Sequence, residues 1–446
     1  MSGLISNNEA LNSIASQNRS FSGLPGRGAH VRIKYGFRTI GSGTTPPSSQ
    51  EEFYGGEIPW VNTSELREKT VNATEKTVST EALREFSALK VYPEGSVLFA
   101  MYGATIGRVG ILGIGATVNQ AVCVLADPSR FYPRFVFYGL QSSRAVLESL
   151  ATGGGQPNLN AEKLREHRLH CPSTEEQKAI AQYLDRETAR IDGLIAEKER
   201  MLALLEEKRI ALISRVVTRG LDPDVTLKPS RLEWLSEIPA HWGLQRLKQL
   251  AEVRGGLTLG KQYSGELQAY PYLRVANVQD GYLKLDDVLT VEVPASEVAS
   301  NLLVYGDVLM NEGGDIDKLG RGCVWRDEIK PCLHQNHVFA VRPHMVDSDW
   351  LALWTSTLEA KRYFESRAKR STNLASISGS NIKELPVPLP PVGEQRSIKK
   401  FLSSRQSCFE NICSELQNSL RLLAERRTAM IAAAVNGHIP VEEMNG

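Results

Sequence analysis

The chain has 446 residues, 41% hydrophobic and 23% charged, which describes a soluble globular protein of two or more domains and excludes a disordered or fibrous one. Lys plus Arg number 52 against 51 Asp plus Glu, a formal net charge of +1, so a protein-wide basic field is excluded and any nucleic-acid surface is a local patch. No apolar run reaches the length of a membrane span, and the six cysteines show neither CxxC nor framework spacing, as expected of reduced thiols in a cytoplasm.

In chain order, residues 1–25 are polar, lack the apolar core of a secretory signal, and predict a flexible leader. Residues 26–172 predict a strand-rich mixed domain, with β-rich runs such as "IPWVNTSEL" (58–66), "GSVLFAMYGATIGRVGI" (95–111) and "VNQAVCVL" (118–125) broken by Gly, Asn and Pro. A long helix follows over 173–220, opening on "STEEQKAIAQYLD" and ending at Gly220 and Pro223. Along it Leu184, Ile191, Lys198, Leu205 and Leu212 recur every seven residues, the period of coiled-coil packing. Residues 221–390 predict a second strand-rich domain, and 391–440 a second long helix that opens on "PVGEQRSIKKFLS" and stops at Gly437 and Pro440. Its stripe is Leu402, Phe409, Leu416, Leu423 and Met430, each 218 residues after its counterpart (184 to 402, 212 to 430).

The domains echo one another more faintly. "YPYLRVANV" (270–278), "GDVLMNEGGDIDKLGRGCV" (306–324) and "LHQNHVFA" (333–340) parallel the three runs of the first domain. "GGGQPNLNAEKLREHRLHCP" (153–172) likewise parallels "STNLASISGSNIKELPVPLP" (371–390). The expected fold is mixed α/β: two similar strand-rich domains separated by two long antiparallel helices, related by an internal two-fold that carries the domains towards opposite ends.

Few residues suggest catalysis. The Asn/Asp-Pro-Pro-aromatic loop of an adenine methyltransferase is absent from the sequence. "GGLTLGKQ" (255–262) resembles a phosphate-binding loop but puts Gln262 where the Mg²⁺-binding hydroxyl belongs, so it reads as a glycine-rich turn. Cys323, Cys332, His334 and His337 tempt as a metal set, but the histidines lie three apart on an expected strand, facing opposite ways. His167, His170 and Cys171 read as a polar turn, and no metal ligand set is expected.

Base-reading chemistry is better represented. Arg, Lys, Asn and Gln match base edges in the major groove, and basic or hydroxyl side chains hold phosphates. The first domain offers Asn62, Thr63, Tyr102, Arg108, Gln120, Gln156, Asn158, Asn160 and Lys163. The second offers Arg274, Asn277, Asn311, Lys318, Arg321, Gln335, Asn336, Arg370, Ser371 and Asn373. Any one of these also serves as an ordinary surface or turn-forming side chain.

Taken together, "GSGTTP" (41–46), "GEIPWVNTSEL" (56–66), the paired "EEQKAIAQYL" and "GEQRSIKKFL", and "EWLSEIPAHWGLQRL" (233–247) resemble the specificity subunit of type I restriction–modification enzymes over nearly the whole chain. The resemblance implies two target recognition domains, each reading one half of a bipartite site in double-stranded DNA. It implies two helices that set the distance between the halves and dock two methyltransferase subunits, with restriction (motor-nuclease) subunits joining through the complex. This chain would then be non-catalytic and hold no cofactor, S-adenosylmethionine belonging to the methyltransferase and ATP with Mg²⁺ to the motor-nuclease. "VRGGLTLGKQYSG" (253–265) departs from the pattern by lacking the Thr-Pro of "GSGTTP". A coiled-coil scaffold that binds only proteins, and the specificity subunit of a related multi-subunit type II system, stay open as alternatives.

Overall fold

A computed structural model describes residues 29–152, 158–314, 319–370 and 375–444. The chain forms two compact units, one running up to Lys198 and resuming at Asn418, the other spanning Glu199–Gln417.

The first unit holds a five-stranded sheet in the order Phe37–Ser42, Val122–Pro128, Val97–Ala100, Val109–Leu112 and Thr70–Val71. Its first four strands pair antiparallel and the edge strand pairs parallel. A three-stranded sheet places Tyr54–Val61 between an antiparallel Lys76–Val78 and a parallel Thr117–Val118. A third pair, Ala29–Arg32 with Arg168–Cys171, is antiparallel.

The second unit repeats this plan. Its main sheet runs Ala251–Arg254, Val338–Pro343, Val308–Asn311 and Gly322–Val324, all antiparallel. Gln268–Leu273 lies between an antiparallel Leu289–Val293 and a parallel Leu333–His334. Gly243–Arg246 pairs antiparallel with Pro386–Leu389. Apart from the parallel edge strand Thr70–Val71, which has no counterpart among the described residues of the second unit, strand order and direction correspond across these sheets, so the sequence echo is a repeat of topology.

The long helices are Thr174–Arg219 and Val392–Val435, each far beyond the length of an ordinary globular helix. Ser173 starts the first with a capping box: its hydroxyl accepts the Glu176 N–H at 3.3 Å while the Glu176 carboxylate accepts the Ser173 N–H at 2.8 Å. Gly220 ends it with φ +77°, and Gly437 follows the second with φ +74°, both in the left-handed region where glycine is unstrained.

Within each unit the helices run antiparallel. In the first, Ile180 and Leu184 share a core with Ile431, Ala434 and Val435, and Asp192 pairs with Arg427 at 2.8 Å. In the second, Val216 and Val217 share a core with Ile398 and Leu402. Each domain core therefore takes in the start of one helix and the end of the other. Of the heptad positions, Leu184, Ile191, Leu402 and Leu416 are buried, while Leu205, Leu212, Phe409, Leu423 and Met430 are half-buried.

The repeated Glu-Gln of the two helix openings fastens domain to helix. Gln177 is fully buried; its amide donates to the carbonyls of Pro172 at 2.9 Å and Arg130 at 3.1 Å, and accepts the Tyr132 N–H at 2.7 Å. Gln395, buried too, donates to the Pro390 carbonyl at 2.8 Å. Glu394 accepts from the rings of His241 at 2.8 Å and Trp242 at 3.1 Å, which gives "EIPAHW" its structural role. Gln177→Leu removes three hydrogen bonds, one to the buried carbonyl of Pro172 and two to part-buried groups of Arg130 and Tyr132, and is expected to cost about 3 kcal/mol, against about 1 kcal/mol for Gln395→Leu. Urea midpoints of the two variants check this, and equal losses would contradict it.

Candidate nucleic-acid interface

In each unit, three backbone hydrogen bonds and one side-chain cap build the same frame around one turn. Asn119 N–H donates to Val61 O at 3.0 Å, and Gln335 N–H to Leu273 O at 2.9 Å. Met101 N–H donates to Ala121 O at 2.8 Å, and Glu312 N–H to His337 O at 2.9 Å. Leu159 N–H donates to Met101 O at 2.9 Å, and Ile377 N–H to Glu312 O at 2.9 Å. The fourth is a side-chain cap three residues on: Glu65 accepts the Asn62 N–H at 2.7 Å, and Asn277 accepts the Arg274 N–H at 2.9 Å.

In the first unit this frame brings together Asn62, Tyr102, Gln120 and Asn158. Asn119 donates its side-chain amide to that of Asn62 at 3.2 Å, and Tyr102 bridges to Asn158. Gln120 is exposed and accepts the hydroxyl of Thr45. Thr63 sits half-buried in the 3₁₀ turn that Asn62 begins, and Arg108 closes the 101–108 turn through its carbonyl, bonded by Ala100 N–H at 2.8 Å. Asn160 and Lys163 serve the chain locally: Asn160 caps the helix Ala161–Glu166, and the Lys163 ammonium donates to Leu150 O at 2.6 Å.

In the second unit the frame unites Gln335 and Asn336, both half-buried, with a ribbon of Gly313–Gly314, Ala375–Ser376 and Lys369–Arg370 that carries an exposed Arg370. Arg274 pairs with Asp287 at 2.8 Å, and the Nε of Arg321 is buried without a partner among the described residues. Two expected base readers are corrected. Asn277 is buried, its amide donating to Lys284 O at 2.9 Å and Asp287 O at 3.0 Å; it closes a loop, as Glu65 does in the other copy. Asn311 is also buried and donates to Val278 O at 2.9 Å. Burial keeps both amides from a base, although the Asn311 carbonyl oxygen has no hydrogen-bond partner among the described residues. Gln156, Lys318, Ser371 and Asn373 lie outside the described residues.

Thr45 and Asn119 are not among the expected base readers. Both lie in quoted motifs, and aligning "VNQ" with "HQN" would have singled out the amide pair at the turn.

The Cys/His set is dispersed in character. Cys323 and Cys332 are buried, and desolvation, with the Glu328 carboxylate adding to it, pushes both thiols up to about 12. His334 is buried with Nδ1 donating to Val338 O at 2.6 Å, whereas exposed His337 contacts Glu312 at 2.7 Å. Among the described residues, no group of three or more His, Cys, Asp or Glu is placed to hold a metal ion. "GGLTLGKQ" leads to the strand Gln268–Leu273 instead of a helix, so it lacks the helix N-terminus that a phosphate cradle uses.

Burial lowers the pKa of His334, and likewise of His167 and His170, below the usual histidine range. The folded chain thus keeps these rings neutral while the unfolded chain takes up protons below about pH 6.5, so their contribution is present above that pH and lost as pH falls through the folded values. Urea midpoints are expected to fall between pH 7.5 and 5.5. His334→Asn should shallow that slope for the second unit, and an unchanged slope would contradict the assignment.

A family model described as "Type I restriction modification DNA specificity domain" matches residues 36–201 and 239–421. The MjaIX specificity subunit of Methanocaldococcus jannaschii is 23% identical over 413 residues, 91% of this chain and 92% of the relative. The EcoKI specificity subunit of Escherichia coli is 24% identical over 335 residues, 72% of this chain and 69% of the relative. A chain from the structural work on complex assembly and conformational transition of the type I R-M system superposes with a TM-score of 0.70 at 17% identity, covering 94% of this chain and 100% of that one. The HsdS subunit from Thermoanaerobacter tengcongensis gives 0.53 at 17% identity, covering 95% and 100%. At such identities the superpositions establish the fold.

Proposed function

The chain belongs to the type I restriction modification DNA specificity family, as a specificity subunit, and on that premise we propose that its two strand-rich domains each read one half of a bipartite DNA site. The observation that carries the proposal is the hydrogen-bonded frame built twice, each time presenting an amide side chain at a turn. Two equivalent readers suit a ligand with two parts. The domain boundaries that go with this reading are 26–172 and 221–390, with the helices 173–220 and 391–440 between and after them.

The proposal gives the helices two tasks: setting the unread spacer and docking two methyltransferase subunits, through which restriction subunits join. Exposed apolar side chains support the docking task. Leu194 and Leu422 in one unit, and Leu204 and Ile412 in the other, are each about half exposed and fall at the same repeat positions, 218 apart (194 to 412, 204 to 422). S-adenosylmethionine and base flipping are assigned to the methyltransferase, and ATP with Mg²⁺ to the motor-nuclease. No bond-making step is given to this chain. The proposed place of action is the cytoplasm; among the described residues no helix is long and apolar enough to cross a membrane.

The test is DNA binding by the purified complex with its methyltransferase partner at one fixed salt concentration. The proposal expects a duplex bearing the methylated site to bind roughly a thousandfold or more tighter than a scrambled one. Equal binding to both would favour a scaffold that contacts only proteins.

A further inference from the structure

We infer that Gln120 and Asn336 are the specificity-determining pair, one in each half-site reader, and that Thr45 is a positioning residue for Gln120 alone. The inference rests on the two-reader function proposed above and names the residues that carry it.

The two positions correspond. Each follows directly the residue whose N–H bonds the end of the neighbouring strand, Asn119 to Val61 and Gln335 to Leu273. Gln120 is exposed and Asn336 half-buried, and neither belongs to the core. Asn119 has no such freedom, because its amide donates to Asn62 at 3.2 Å and accepts the Ala121 N–H at 3.1 Å. A primary amide sets a donor and an acceptor side by side, the complement of the adenine N7 and N6 edge in the major groove.

Each amide also has a cation on a segment tied to its frame. The Met101–Ala121 bond joins the turn that ends in Arg108 to the Gln120 turn. The Glu312–His337 bond joins the ribbon bearing Arg370 to the Asn336 turn. Among the described residues neither guanidinium has a carboxylate partner, whereas Arg274 and Arg342 do. An amide for a base edge and, on a segment tied to it, a cation for a phosphate is the pairing that sequence reading requires.

The copies differ at one point. In the first unit "GSGTTP" forms a clamped loop: Trp60 Nε1 donates to Thr44 O at 3.2 Å, and the Tyr54 hydroxyl to Pro46 O at 2.5 Å. Gly43 backs so closely onto Val118 O that a Cβ would lie 1.6 Å from it. The loop is thereby fixed, and its Thr45 hydroxyl donates to the Gln120 carbonyl oxygen, leaving the amide N–H groups free. In the second unit, which lacks the Thr-Pro, the Asn336 amide has no bonded partner among the described residues. Gln120 is thus held in one orientation before DNA arrives, and Asn336 is not.

The experiment maps methylated positions in cells carrying the complete complex with Gln120→Ala, Asn336→Ala, Thr45→Val or Thr45→Ser. Gln120→Ala should relax one base pair of one half-site, with roughly ten- to a hundredfold loss of discrimination, and Asn336→Ala one base pair of the other. Thr45→Val should relax the same base pair as Gln120→Ala to a smaller extent, add nothing to that variant, and be rescued by Thr45→Ser. A bipartite motif that stays sharp in every variant, or methylation that falls evenly at all sites without a change of motif, overturns this inference alone. An undivided motif in the unaltered complex overturns the two-reader function, and this inference with it.

Discussion

Exchanging residues 230–390 for the corresponding stretch of another specificity subunit is expected to change one half of the recognised sequence and leave the other half intact. Most of the exchanged stretch pairs within itself: Gly243–Arg246 pairs with Pro386–Leu389, and the main sheet of the second unit lies wholly between them, while residues 227–229 stay behind to pair with the incoming counterpart of 237–239. The incoming domain must still pack on Val216, Val217, Ile398 and Leu402, which stay with the helices. Where the incoming domain offers an apolar footing of similar volume, conservative swaps in such a core cost less than about 1.5 kcal/mol. Sequencing the methylated sites of the hybrid decides the matter. A change in both half-sites would show that the domains do not read independently.

Inserting four residues beside Lys198 is expected to lengthen the unread spacer while both half-sites keep their sequences. Four residues add about 6 Å and slightly more than one turn, so the apolar stripe stays close to its original face. Against roughly 3.4 Å of axial rise per base pair, that is one or two base pairs of added spacer. Inserting two residues instead turns the following stripe by about 200° and should abolish assembly, because Leu205, Leu212 and Val216 would no longer face inward. A lengthened spacer after four residues and no activity after two separate a helical spacer from a passive linker. An unchanged spacer after four residues would refute it.

Much of the fold was legible because repetition is visible without any geometry. "STEEQKAIAQYLD" and "PVGEQRSIKKFLS" announced two helices of one phase, and Gly220 and Gly437 mark where they stop. The heptad pattern suggested a pairing of helices, but it did not show that Leu184 and Leu402 also enter domain cores, because the apolar partners are distant in sequence. The candidate interface was legible as residue types and not as surfaces. Asn277 and Asn311 look like base readers until Lys284 O, Asp287 O and Val278 O are seen to take their amides. Conversely, the hold of Thr45 on Gln120 spans 75 residues and leaves no periodic trace. "GSGTTP" was conspicuous as a phrase, yet its work as a clamped loop depends on Trp60 and Tyr54, which only folding brings to it.

Two equivalent readers of one divided site can be checked by mapping methylated adenines in cells with and without this chain, its partner subunits present in both. The expected map shows one motif made of two short defined stretches around an unread spacer of fixed length, lost entirely when the chain is removed. A continuous motif, or one that persists without the chain, would contradict it.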